Sequence, residues 1–116
     1  MPYFSIETNR QIDNKMNEEL MQKASTFLSE MLGKPEQVIM VTIKQGMPYI
    51  FGSTNDPAAF VQIKSLGLDR DRCSEFSDKV CAFLETEAGI PRDRAFIEFI
   101  DIDGKIFGWN GRTLVN

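Results

Sequence analysis

Few residues in this chain are of types that do chemistry, and one absence narrows them further: there is no histidine. That removes the commonest metal ligand and the usual acid and base at neutral pH. It also excludes nucleophilic arrangements of the Ser-His-Asp and Cys-His kinds. A proton carrier would have to be something less usual, and Pro2 is the first candidate. Methionine ahead of proline is routinely removed, which would leave a secondary amine on a rigid ring. An α-amino group titrates at about 7.7–8.0 before perturbation. Burial or a nearby cation lowers that value and leaves a neutral fraction at pH 7, as a general base requires. The alternative is an incidental processed terminus.

Lys34, between Gly33 and Pro35, is the second candidate. It either binds an anionic substrate or complements the C-terminal end of a helix, an effect of only about 0.3–1 kcal/mol. Glu98 is unusual inside the apolar run "AFIEFI"; it faces solvent or pairs across a subunit interface. Phe96 has the same strand parity, so both point to one face. If that face is a site, Glu98 either repels an anionic substrate or pairs with Lys34. Phe107 and Trp109 are core, interface or pocket-wall aromatics. Arg70 and Arg72 in "DRDRCSEF" read as solvated charges paired with flanking aspartates. Cys73 and Cys81 stand eight residues apart on what reads as one helix. That is about 12 Å at the helical rise, too far for a disulfide, and a reducing, cytoplasmic setting fits.

The elements that must position these residues follow from periodicity. "PYFSIETN" alternates, with Phe4, Ile6 and Thr8 on one face. From about Asp13 to Leu32, Met16, Leu20, Ala24, Phe27, Leu28 and Met31 form an amphipathic stripe closed by Gly33 and Pro35. "QVIMVTIK" reads as a strand covered on both faces, and "AAFVQIKSL" as another strand. A second helical stripe through Cys73, Phe76, Val80, Phe83 and Leu84 ends at Gly89 and Pro91, before the strand "AFIEFIDI". The tails "QGMPYIFG" and "DGKIFGWNG" carry turn signals and short extra strands able to pair with a neighbouring subunit.

The halves repeat. Phe27–Pro35, "FLSEMLGKP", aligns without gaps on Phe83–Pro91, "FLETEAGIP", 56 positions later. At that offset Phe4 meets Phe60 as an inner position, Pro2 meets Ala58, and Lys34 meets Ile90. Each half is a strand, a helix and a strand, and the helical crossover makes its two strands parallel. The fold class is α/β in the α+β sense: two β-α-β repeats in a four-stranded mixed sheet with both helices on one face. The chain is one domain over residues 1–116, with pseudo-repeats at about 2–50 and 58–109. The other sheet face is expected to be apolar and to call for association. A net charge of -4 and a pI near 4.8 leave no footprint for nucleic acid or an anionic membrane. No signal-peptide pattern or membrane-spanning stretch is present in the sequence.

Taken together, "MPYF…TN", "LGKPEQVIMV", "KSLG", "PRDRAFIEFIDI" and "GWNG" resemble the macrophage migration inhibitory factor family of the tautomerase superfamily, over essentially the whole chain. The resemblance implies a homotrimer with active sites between subunits, no cofactor, and a small-molecule 2-oxo acid substrate. Pro2 would be the base of a phenylpyruvate-type keto–enol tautomerase, and Lys34 would meet the substrate carboxylate. Ser65 and Leu66 would line the pocket through their backbone, with Phe107 and Trp109 as apolar wall. Phe96 and Glu98 would come from a neighbouring subunit. Where some members carry Cys-x-x-Cys, a pocket tyrosine and a pocket asparagine, this chain has alanine and valine, Phe96 and Glu98. Thiol–disulfide activity is therefore not expected. The alternatives the resemblance allows are a protein-binding signalling factor, and a dehalogenase or hydratase using Arg70 and Arg72. Release from the cell without a signal peptide is also within the family pattern.

Overall fold

The first helical stripe becomes α1 (Asn14–Leu32). Asp13 caps it, its carboxylate accepting from the Met16 backbone N–H at 2.9 Å. Gly33 ends it at φ 67°, donating to the Ser29 carbonyl. The second stripe becomes α2 (Cys73–Ala88), ended in the same way by Gly89 at φ 66°. The computed structural model describes residues 1–116. Its remaining elements are β1 (Pro2–Thr8), β2 (Met40–Lys44), β3 (Ala59–Leu66) and β4 (Ala95–Ile102), then a small hairpin of β5 (Gly108–Trp109) and β6 (Arg112–Thr113).

The sheet order is β2-β1-β3-β4. Strands β1 and β2 run parallel, as do β3 and β4, and the two units meet through the antiparallel pair β1–β3. The two-repeat mixed sheet with both helices on one face is therefore the observed fold. Leu20, Ala24, Leu28 and Met31 of α1 join Phe76, Val80 and Leu84 of α2 over Phe4, Ile6, Val61 and Ile63. Fully burying each of the larger side chains contributes about 1.5–3 kcal/mol. Phe27 and Phe83, matched by the repeat, stack at 4.6 Å between the helices. Cys73 and Cys81 are both free.

Five details differ from the sequence reading. Met16 is exposed, because the packed stripe begins one turn later at Leu20. The second strand is shorter than "QVIMVTIK": Glu36–Val38 form a 3-10 turn, and β2 is an edge strand with Met40 exposed. In "QGMPYIFG" the expected short strand reduces to a single bridge between Phe51 and Thr54.

The fourth difference is one of register. Met40 lies beside Tyr3, whereas Phe96, 56 positions after Met40, lies beside Phe60. Tyr3 is thus the counterpart of Phe60, and Phe4 is the counterpart of Val61. The repeat keeps its 56-residue spacing in the helices but gains one position between β1 and β3. Since strand side chains alternate, that single step turns Phe60 to the outer face, where it is half-exposed, while Phe4 stays buried.

The outer face is not the continuous apolar surface expected. Three rows cross all four strands: Lys44–Glu7–Phe60–Phe96, Thr42–Ser5–Gln62–Glu98 and Met40–Tyr3–Lys64–Ile100. The middle row is wholly polar, and in it Gln62 donates to the Glu98 carboxylate at 3.0 Å. Apolar side chains are confined to the flanking rows.

Candidate active site

Pro2 is the first residue of β1, where its missing N–H costs the sheet nothing. It pairs with Ser65 on β3, and its ring is buried. Beside it opens a cavity of about 470 Å³ at one end of the sheet. Tyr3, Val38, Lys64, Phe107 and Trp109 line it with Pro2, and Met1 reaches into it as well. The Asp103-Gly104 turn helps set this wall. The Asp103 carboxylate accepts from the Lys105 N–H, and Leu114 donates back to the Phe107 carbonyl. These bonds hold Phe107 and the β5–β6 hairpin against the strand ends.

Lys34 stands one residue past the left-handed glycine that ends α1, half-buried. Its Nζ donates to the Leu66 carbonyl at 3.4 Å. An ammonium has three donors, so this contact orients the group and leaves donors for an anion. The terminal amine, carried here by Met1, is held below its ordinary value, first by burial and then by repulsion from Lys34. Ser65 is buried on the core side, so only its main chain is presented opposite Pro2.

Six of the expected site residues thus gather at one end of the sheet: Pro2, Lys34, Ser65, Leu66, Phe107 and Trp109. Phe96 and Glu98 do not join them within the protomer. Both are exposed on the outer face, and Phe96 lies towards the opposite end, stacked on Phe51 at 4.8 Å. Arg70 pairs with Asp101 at 3.4 Å and Arg72 with Glu75 at 2.8 Å; neither lines the cavity. No group of three or more acidic or cysteine side chains is placed to hold a metal.

Sequence reasoning missed Tyr3, Val38 and Lys64. Strand alternation puts Tyr3 and Lys64 on the face away from Phe4 and Ile63, and nothing along the chain marks that pair for a cavity. Only the cross-strand register, Tyr3 against Lys64, brings them to the mouth of the cavity.

Comparison with known proteins matches essentially the whole chain. The family model described as "Macrophage migration inhibitory factor (MIF)" matches residues 1–115. A macrophage migration inhibitory factor homolog of Brugia malayi is 34% identical over 97% of this chain and 98% of its own. The crystal structure of a macrophage migration inhibitory factor homologue from Prochlorococcus marinus superposes with a TM-score of 0.88. It is 36% identical, covering 97% of this chain and 98% of that one. A protein of Xenopus laevis named D-dopachrome decarboxylase-B is 27% identical over 98% of both chains.

Proposed function

This chain belongs to the macrophage migration inhibitory factor family, and from that premise we propose that it is a cofactor-free keto–enol tautomerase of aromatic 2-oxo acids with Pro2 as its base. The observation that carries the reading is a terminal amine whose proton affinity is lowered by burial and by Lys34, beside a mostly apolar cavity. On this reading, removal of Met1 would expose the Pro2 nitrogen to the same two influences, burial and Lys34, and free the volume that Met1 takes. The rigid ring then fixes the direction of the nitrogen lone pair.

In this mechanism the substrate carboxylate meets Lys34, which the Leu66 carbonyl holds in place, and the aromatic ring lies against Phe107 and Trp109. In the keto-to-enol direction, neutral Pro2 takes a proton from C3 and the carbonyl oxygen gains one. In the reverse direction the enol oxygen loses its proton and protonated Pro2 returns one to C3. No atom is gained or lost overall. Positioning and a base poised near the working pH are what the step demands. Phe96 and Glu98 enter the site from a second copy in a homotrimer, each cavity being completed by its neighbour. The relative named for a decarboxylase acting on D-dopachrome supports small-molecule chemistry on this scaffold. The dehalogenase reading loses support, because Arg70 and Arg72 are engaged by carboxylates outside the cavity.

The test joins intact mass with phenylpyruvate ketonisation. Wild type should lack Met1 and turn over. Pro2→Ala, or a form with one extra residue before Pro2, should lose at least about 100-fold in kcat/KM, the lower range for removal of a general base. Methionine retained on fully active protein would sink the mechanism.

A further inference from the structure

We propose that Lys64 makes this cavity selective for dianionic ligands, taking a second anionic group on the aryl end of a 2-oxo acid. The inference rests on the tautomerase reading for the 2-oxo acid end and adds the substrate class. Lys64 lines the cavity, half-buried, with its Nζ 5.7 Å from the centre of the Tyr3 ring. It takes part in none of the protein's six ion pairs and makes no side-chain hydrogen bond. Within one protomer no carboxylate lines the cavity with it, and Glu98, the carboxylate that a second copy would bring, already accepts from Gln62. A cation flanked within its own protomer only by apolar and neutral groups is incompletely satisfied, and an incoming anion can partner it.

The second cation lies close by along the same strand. Lys34 is held on the Leu66 carbonyl, and Leu66 is two residues beyond Lys64, about 6.6 Å at the strand rise. Lys64 therefore lines the cavity, and the Lys34 ammonium is held on Leu66 at the same end of the sheet. A single carboxylate satisfies one of them, and a ligand with two anionic groups satisfies both. Tyr3, opposite Lys64 in the register, limits where the Lys64 ammonium can swing.

The experiment compares phenylpyruvate with 3- and 4-carboxyphenylpyruvate, using wild type, Lys64→Met, Lys64→Arg and the control Lys15→Met on the exposed start of α1. Wild type should favour at least one of the dianions by about tenfold in kcat/KM, the range of one charge-assisted hydrogen bond. Lys64→Met should bring that ratio to about one, whereas Lys64→Arg and Lys15→Met keep it. Lys64→Gln replaces the methionine variant if that one fails to fold. Equal use of all three substrates by wild type overturns the proposal, as does a preference that survives loss of the Lys64 charge. If no substrate turns over, the tautomerase reading fails separately. The same ratio is then read as dissociation constants from quenching of Trp109, the chain's one tryptophan and part of the cavity wall.

Discussion

Lys34 and Ile90 occupy the same place in the two halves, one residue past a left-handed glycine, and they meet different fates. Ile90 is buried in the core, whereas Lys34 stays half-exposed and reaches a main-chain carbonyl beside Pro2. The helix end therefore does not demand a cation, and the consequence can be read from pH. The base must be neutral to accept a proton, so kcat/KM should fall as pH drops through the amine's pKa. The Met1 amine is held below the ordinary α-amino value by burial and then by Lys34, and the proposed mechanism brings the same two influences to bear on Pro2. Lys34→Met removes the repulsion but not the burial. It should move the acid limb of the profile to higher pH and raise KM about tenfold, as one charged hydrogen bond to the carboxylate is lost. An unmoved limb would remove Lys34 from the base's surroundings. Pro2 and Lys34 were legible in the sequence because the duplication displays them as mismatches. Lys64 was not, since nothing along the chain separates a cavity-facing lysine from a solvated one on the same strand face.

The elements were read well where local chemistry sets them and poorly where register does. Gly33 and Gly89 fixed both helix ends, and their equivalence is not quite complete. A Cβ at Gly33 would meet nothing within 4 Å, so Gly33→Ala carries only the left-handed strain of about 1–2 kcal/mol. A Cβ at Gly89 would come within 2.5 Å of the Arg10 guanidinium, which donates to the Ala88 carbonyl at 2.6 Å. Gly89→Ala should therefore be the more destabilising, by about a further 1 kcal/mol for the disturbed hydrogen bond. Urea unfolding of the two variants checks the order, and equal midpoints would show that Arg10 moves aside freely. The step of one residue between β1 and β3 escaped the gap-free alignment, which was anchored on the helices. It corrects the partner of Pro2 from Ala58 to Ala59, a buried alanine in the middle of a continuous chain.

At the scale of the whole molecule, two open sheet edges and an outer face with exposed Phe96 fit association. Sedimentation should give a mass three times the 13.2 kDa of the chain. Phe96→Asp should shift it towards one chain and lower tautomerase activity with it, since a charge cannot be buried there without a partner. A monomeric wild type would remove the shared site altogether. The sequence calls for association on the ground of an apolar outer face, but the character of that face was not legible in it. Ser5, Thr42, Gln62 and Glu98 are scattered along the chain and become a line only when four strands come into register. That line matters before any trimer exists. It divides the exposed apolar side chains into two separate strips, leaving no broad sticky sheet on a newly made protomer. A lone protomer therefore meets water over two narrow apolar strips with a polar seam between them.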